Sequence, residues 1–271
     1  MKRIIAPVDF SATAENAAIF AGNLAAFYGA ELWLYHAYSM PIPTGYPLVT
    51  SDEMQEAADG EMDDFQKKIA TSLKAPISIH LVAEAASLNE GLAALADTIK
   101  PDLVVMGIAG KGKLTRLVVG SNTIRVMQQL PYPLLVVPPQ AGFVPIRKIG
   151  FACDFEKVAE TTPIGPLKKL IADFNADLFV LNVVPQGETV PDDKQVQSMY
   201  IGEALKEYQA NFQMIMSNDI TEGINWFAQN NQLDWIVVIP KKHKSMEKIF
   251  GRSHTKDLLY HTHVPVLCMH E

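Results

Sequence analysis

The chain has 271 residues, 48% of them hydrophobic, and 23 Lys+Arg against 30 Asp+Glu leave a net charge of −7. That hydrophobic content excludes a disordered chain, and the negative balance disfavours general binding to a phosphate backbone. Its two cysteines, Cys153 and Cys268, make no disulfide framework and fit a reducing compartment.

In chain order, Ile4–Val8 is a short continuous apolar run that stops at Asp9, the pattern of a strand buried on both faces of a parallel sheet. Behind Met1-Lys2-Arg3 this run is too short for the apolar region of an export signal. No apolar stretch, Pro133–Pro139 included, approaches the roughly 18 residues of a membrane span. A cytoplasmic protein that enters no membrane is expected. After Ser11, Ala17, Ala21, Leu24 and Tyr28 recur at helical spacing; Ser11 or Thr13 caps this helix and Gly29 ends it. Leu32–His36 reads as the second strand. Segment 40–60 is the least legible, with Pro41, Pro43 and Pro47 ahead of a helical, acidic stretch. A third strand over Ile77–Val82, a helix over Glu90–Ile99, a fourth strand over Leu103–Met106, a helix over Ser121–Leu130 and a strand over Leu134–Val137 follow.

The pattern then returns. Arg3–Phe10 reappears as Lys148–Phe155, each copy a basic residue, an apolar run and Asp-Phe; Gly29–His36 reappears as Asn175–Asn182, and Pro133–Val137 as Pro265–Met269. Two halves are expected, residues 1–140 and 146–271, joined by Pro138-Pro139-Gln140-Ala141-Gly142. In the second half Thr162-Pro163 reads as a cap followed by proline at the first helical position. Leu167, Leu170, Ile171 and Phe174 form the stripe of that helix and Asn175 its end. Alternating strands and helices make each half an α/β domain with a doubly wound parallel sheet.

The stretch after the fourth strand, Met106 to Thr123, carries the chemistry. In an open α/β sheet, ligands bind beyond the carboxyl ends of the strands. Glycines there bring backbone N–H groups close to phosphate oxygens, and Gly120-Ser121 opens a helix whose N-terminus favours an anion. A bare turn is the plain alternative. A Walker A loop nearly fits, with Gly107, Gly112 and Lys113 at the right spacing, but Leu114 stands where Ser or Thr must reach magnesium. Gly110-Lys111-Gly112 lacks the third glycine of a dinucleotide fingerprint. Lys111, Lys113 and Arg116 either reach phosphates or form a solvated face.

Gly107-x2-Gly110-x9-Gly120-Ser121, with Pro7–Ser11 before it and Pro133–Val137 after it, resembles the nucleotide-binding signature of the universal stress protein family. Both halves share the resemblance, which is that of a tandem universal stress protein: two fused Rossmann-like domains of the adenine nucleotide alpha hydrolase-like kind. It implies a stress-response regulatory protein that binds ATP or a related adenine nucleotide in its first half. On this transfer Pro7 and Val8 line the adenine, Asp9 lies near the ribose and any magnesium that accompanies the nucleotide, and Ala37, just after the second strand, offers backbone contacts to the ring. Met106 and Gly107 flank ribose and phosphates, and Gly110, Gly120, Ser121, Asn122 and Thr123 hold the phosphates. Asn122 departs from the usual small apolar residue. A turn cap is the plain reading of Asp9.

The second half has lost the signature: Pro240 stands for Gly107, Lys242 or His243 for Gly110, Arg252 for Gly120 and Ser253 for Ser121. No nucleotide is expected there. The basic residues Lys241, Lys242, Lys244, Lys248 and Arg252 either bind another anion or are solvated. His254, His261, His263 and His270 show no zinc spacing, and Cys153 reads as core. No catalytic residue is assigned. A slow ATPase or phosphotransferase and a nucleotide-free interaction scaffold stay open as alternatives. The closing strands, Leu134–Val137 and Val266–Met269, are expected to pair as an intrachain pseudo-dimer, with a homodimer also open.

Overall fold

A computed structural model describes residues 1–40, 50–108, 121–240 and 254–270. These fall into two compact units divided in sequence between Phe143 and Val144. Unit 1 holds β1 (Arg3–Pro7), α1 (Ala12–Tyr28), β2 (Glu31–Tyr38), α2 (Ser51–Ala70), β3 (Ile79–Ala85), α3 (Leu88–Ile99), β4 (Leu103–Gly107), α4 (Ser121–Gln129) and β5 (Leu134–Val137). Its strands run in the order β3-β2-β1-β4-β5, and all their pairs are parallel. Unit 2 holds β6 (Lys148–Ala152), α5 (Val158–Thr161), α6 (Ile164–Phe174), β7 (Asp177–Val184), α7 (Asp192–Ala204), β8 (Asn211–Met216), α8 (Ile220–Asn231), β9 (Trp235–Val238), α9 (His254–His261) and β10 (Val266–Cys268). Its order is β8-β7-β6-β9-β10, again parallel. Each unit is therefore a doubly wound α/β sheet, as the strand and helix periodicities imply.

Local chemistry explains most boundaries. Ser11 Oγ accepts the Ala14 N–H at 3.2 Å and so starts α1, and Gly29, at φ 63°, ends it in the left-handed region. The faces of α1 that meet the sheet are small or aliphatic: Ala17, Ala18, Ala21, Leu24 and Ala25 are all buried. Beyond the proline-rich segment, whose residues 41–49 lie outside those described, Thr50 and Glu53 form a reciprocal capping box at the head of α2. In both units a carboxylate pins the start of the central strand. Asp102 Oδ2 accepts the N–H groups of Lys2 (2.6 Å) and Arg3 (3.1 Å), and Asp234 Oδ2 accepts those of Arg147 (2.7 Å) and Lys148 (2.9 Å).

Three expectations shift. The third strand lies at Ile79–Ala85 rather than Ile77–Val82, because pairing with β2 sets its limits: Leu32 is in register with Ile79 and Tyr38 with Ala85. Ala37 lies within β2 rather than after it. Thr162 does not cap α6; it ends the short helix α5, and Pro163 takes the N-cap position of α6 with no side-chain cap. Asn175, at φ 50°, does end α6 as glycine would.

Cys268 lies in β10 with no exposed surface, and burial pushes its thiol up to about 12. Since the thiolate is the reactive form, thiol reagents at neutral pH are expected to spare Cys268 in the folded chain and to label it after denaturation. Mass spectrometry of the alkylated protein checks this, and labelling of Cys268 without unfolding would contradict it.

Candidate nucleotide site

In unit 1 the chain winds outward from β1 through β2 to β3, then returns to β4 on the other side of β1. That reversal is the topological switch point, where the loops after β1 and β4 diverge and leave a crevice. Ile4 is in register with Leu103, so the carboxyl ends of both strands bring Val8-Asp9 and Gly107 to the same rim. Pro7 and Val8 are buried, and the Val8 N–H donates to Tyr35 O at 2.8 Å. Asp9 is exposed; its Oδ1 accepts the Ser11 N–H (3.1 Å) and the Ser11 hydroxyl (2.5 Å). One carboxylate oxygen thus shapes the turn into α1, and no hydrogen bond reaches Oδ2 among the described residues. Phe10, between them, adopts φ 59°. This is a strained conformation for a bulky side chain, held by packing on His36 (centroids 4.5 Å) and Phe65 (5.5 Å).

Strand alternation sets where the backbone of Ala37 points. In a parallel ladder successive residues direct their N–H and C=O to opposite neighbours. Tyr35 O accepts from Val8 on the β1 side, whereas the Leu32 N–H turns to Ser78 on the β3 side. Ala37 therefore points its backbone groups to the β1 side, past Pro7 where β1 has ended. Neither group has a hydrogen bond among the described residues, which leaves a donor and an acceptor facing the crevice, the pair an adenine edge requires. The neighbouring His36 holds the rim: its Nδ1 lies 2.9 Å from Val8 O.

Met106 is buried in β4. Gly107 ends the strand where α1 begins, and a Cβ there would lie 2.4 Å from the backbone oxygen of Thr13. Its carbonyl accepts the Thr123 hydroxyl at 2.9 Å. The Thr123 side chain is thus buried and occupied in tying α4 to β4, and only its backbone remains to meet a phosphate. Ser121 is half-buried and Asn122 exposed on the first turn of α4, whose N–H groups have no carbonyl partner within the helix. Gly110, Gly120 and the cations Lys111, Lys113 and Arg116 lie outside the described residues.

The sequence model of the universal stress protein family matches residues 1–138. The chain belongs to the universal stress protein family. A universal stress protein of Methanocaldococcus jannaschii is 32% identical over 139 residues, 50% of this chain and 81% of that protein. One of Synechocystis is 30% identical over 142 residues, 51% of this chain and 85% of that protein. The match thus takes up about half of this chain and more than four-fifths of each relative, in keeping with a tandem arrangement. The crystal structure of a universal stress protein from Archaeoglobus fulgidus covers 99% of this chain and 98% of its own, with a TM-score of 0.72 at 15% identity; at that identity it shows the fold alone.

The second unit keeps the turn, and other residues stand in its sequence where unit 1 has the glycines. Asp154 Oδ1 accepts the Glu156 N–H at 2.9 Å, Phe155 adopts φ 54°, and Asn182 Nδ2 donates to Cys153 O at 2.8 Å. The Asp-Phe turn and the polar brace from the second strand are therefore properties of the fold, independent of the glycine signature. Strand register corrects one correspondence. Ile4 pairs with Leu103 and Ile149 with Trp235, so Ile239 occupies the place of Gly107, and Pro240 that of Ile108. The counterpart of α1 does not run unbroken; it is interrupted between Thr161 and Ile164, at Pro163. Residues 241–253, the basic loop with Lys241, Lys242, Lys244, Lys248, Arg252, His243 and Ser253, lie outside those described. Among the described residues no group of three His, Cys, Asp or Glu could hold a metal ion, and no helix is long and apolar enough to cross a membrane.

From the sequence, Thr13 is only a possible helix cap and His36 only a strand end, and neither is placed at the site. His36 had a signal: it closes an apolar strand at the position where Asn182 closes the other copy. Thr13 had none, because its part is played by a backbone oxygen.

Proposed function

We propose that this universal stress protein is a cytoplasmic regulator of the stress response that binds ATP or a related adenine nucleotide in unit 1, the binding state biasing its conformation or association. The unpaired N–H and C=O of Ala37, facing the rim that carries Asp9 and Gly107, is the observation that supports this reading most. The residues suit the ligand: a backbone donor–acceptor pair for the adenine, Asp9 Oδ2 toward ribose or a magnesium ion, and a glycine loop with the first turn of α4 for the phosphates. In unit 2, Ile239 and Arg252 replace two of the glycines, which argues for one site per chain. From sequence symmetry we also propose that the closing strands Leu134–Val137 and Val266–Met269 pair, and expect Val136→Lys to separate or destabilise the two halves, read as a lower urea midpoint.

Titration calorimetry with ATP, ADP, AMP and cyclic AMP is expected to return one adenine nucleotide per chain. Two equivalent sites would overturn the assignment to unit 1, and none would favour the nucleotide-free scaffold. Turnover at saturating ATP separates a regulator, which shows none, from a slow ATPase.

A further inference from the structure

β8 ends the strand order of unit 2 as β3 ends that of unit 1, yet the two strands are dressed differently. Matching β2 to β7 and following the registers places Phe212, Met214 and Met216 where unit 1 has Leu81, Ala83 and Ala85. In unit 1 this face lies against α2, a 20-residue helix that buries Ala58, Met62, Phe65 and Ile69. Its counterpart α7 has 13 residues and buries Ile201 alone. Large apolar side chains thus replace alanines just where the covering helix is shortened. Val196, Met199 and Tyr200 of α7 and Phe212, Met214 and Met216 of β8 are between 41% and 74% exposed. The two sets adjoin, since a Cβ at Gly202 of α7 would lie 3.7 Å from the Phe212 ring.

The backbone of the same strand is also open. Ser217 N donates to Val184 O at 3.0 Å, so alternation turns Ser217, Ile215 and Gln213 toward β7 and Phe212, Met214 and Met216 outward. No hydrogen bond to the backbone of these three exists among the described residues. Asn-Phe-Gln-Met-Ile-Met contains no charge and no proline, the usual guards of an edge strand.

We propose that β8 and the exposed stripe of α7 form a two-fold interface between two copies of this chain, with β8 pairing antiparallel to itself about Met214. A two-fold contact brings the same surface together from both copies. Centred on Met214, it pairs Phe212 with Met216, a sulfur–aromatic contact, and lays the two α7 stripes side by side. The six side chains uncover roughly 600 Å² of apolar surface, the upper end for a monomer. With the strand backbones added, this approaches the ~800 Å² per partner of a standard interface. The rim carries both signs in neighbouring pairs, Lys206 with Glu203 (3.6 Å) and Lys168 with Glu207 (2.7 Å). Two copies therefore do not repel there despite the overall charge of −7.

Sedimentation velocity of the full chain over a range of concentrations tests this. The natural sequence is expected to dimerise, and Met214→Lys and Met214→Pro to weaken the dimer at least tenfold with unchanged circular dichroism. Proline at 214 removes an outward N–H and none that bonds β7. Should either variant misfold, Met199→Lys on the exposed stripe of α7 carries the test, and Trp226→Lys on α8 is expected to leave the dimer intact. A natural chain that stays monomeric throughout, as it would if the edge served another protein's extended segment, overturns the proposal. So does a dimer that survives Met214→Lys and Met199→Lys in folded protein.

Discussion

A chain carrying Gly120→Arg is expected to stay folded and to lose the adenine-nucleotide binding proposed for unit 1. The second unit is the precedent: the offset that pairs Asp102 with Asp234 and Pro133 with Pro265 places Arg252 opposite Gly120, so the fold accepts arginine at this point. The proposed ligand is expected not to. Glycine lets phosphate oxygens approach a backbone that a long side chain would block. The expected loss is two or three charge-assisted hydrogen bonds, each worth about 1.5–3 kcal/mol. That corresponds to a fall in affinity of at least about a hundredfold. Calorimetry beside circular dichroism decides the matter: unchanged affinity in folded protein would remove Gly120 from the site.

Gly107→Ala is expected to behave in the opposite way, harming the fold first. Its Cβ would meet the Thr13 backbone oxygen at 2.4 Å, and neither partner is the flexible end of a side chain. Either α1 retreats from β4 or the strand end twists, and the Thr123 hydroxyl bond to Gly107 O is disturbed with it. Overpacking of this kind costs about 1–3 kcal/mol, read as a lower urea midpoint, with nucleotide affinity falling as a consequence. Unit 2 carries Ile239 at the same place, where the residue corresponding to Thr13 is Val158, which opens the separate short helix α5. An unaltered urea midpoint for Gly107→Ala would mean that α1 and β4 do not approach as described.

What the sequence disclosed depends on how local the cause was. Ser11 and Gly29 are local signals, and α1 begins and ends by them. A helix start at Glu90 misses one turn's opening: Glu90 is the third residue of a cap opened by Ser87, whose Oγ donates to the Glu90 carboxylate at 2.6 Å. Thr50-x-x-Glu53 is an equally legible cap, obscured by the prolines before it. Limits set by a neighbouring strand were not legible. The span of β3 follows its register with β2, and Ile239 takes the place of Gly107 only once β6 and β9 are paired. At the site, side-chain identities were visible, but the open backbone of Ala37 and the oxygen of Thr13 belong to atoms every residue possesses.

The brace between His36 and Val8 fixes how the ring is presented. A carbonyl oxygen can only accept, so His36 presents an N–H at Nδ1. Nε2 is left on the far side of the ring from the strand end it holds. In the second unit the amide of Asn182 makes the equivalent bond to Cys153 O. The fold therefore asks only for an N–H donor at this point of the second strand, and two chemically different side chains meet the same demand in one chain.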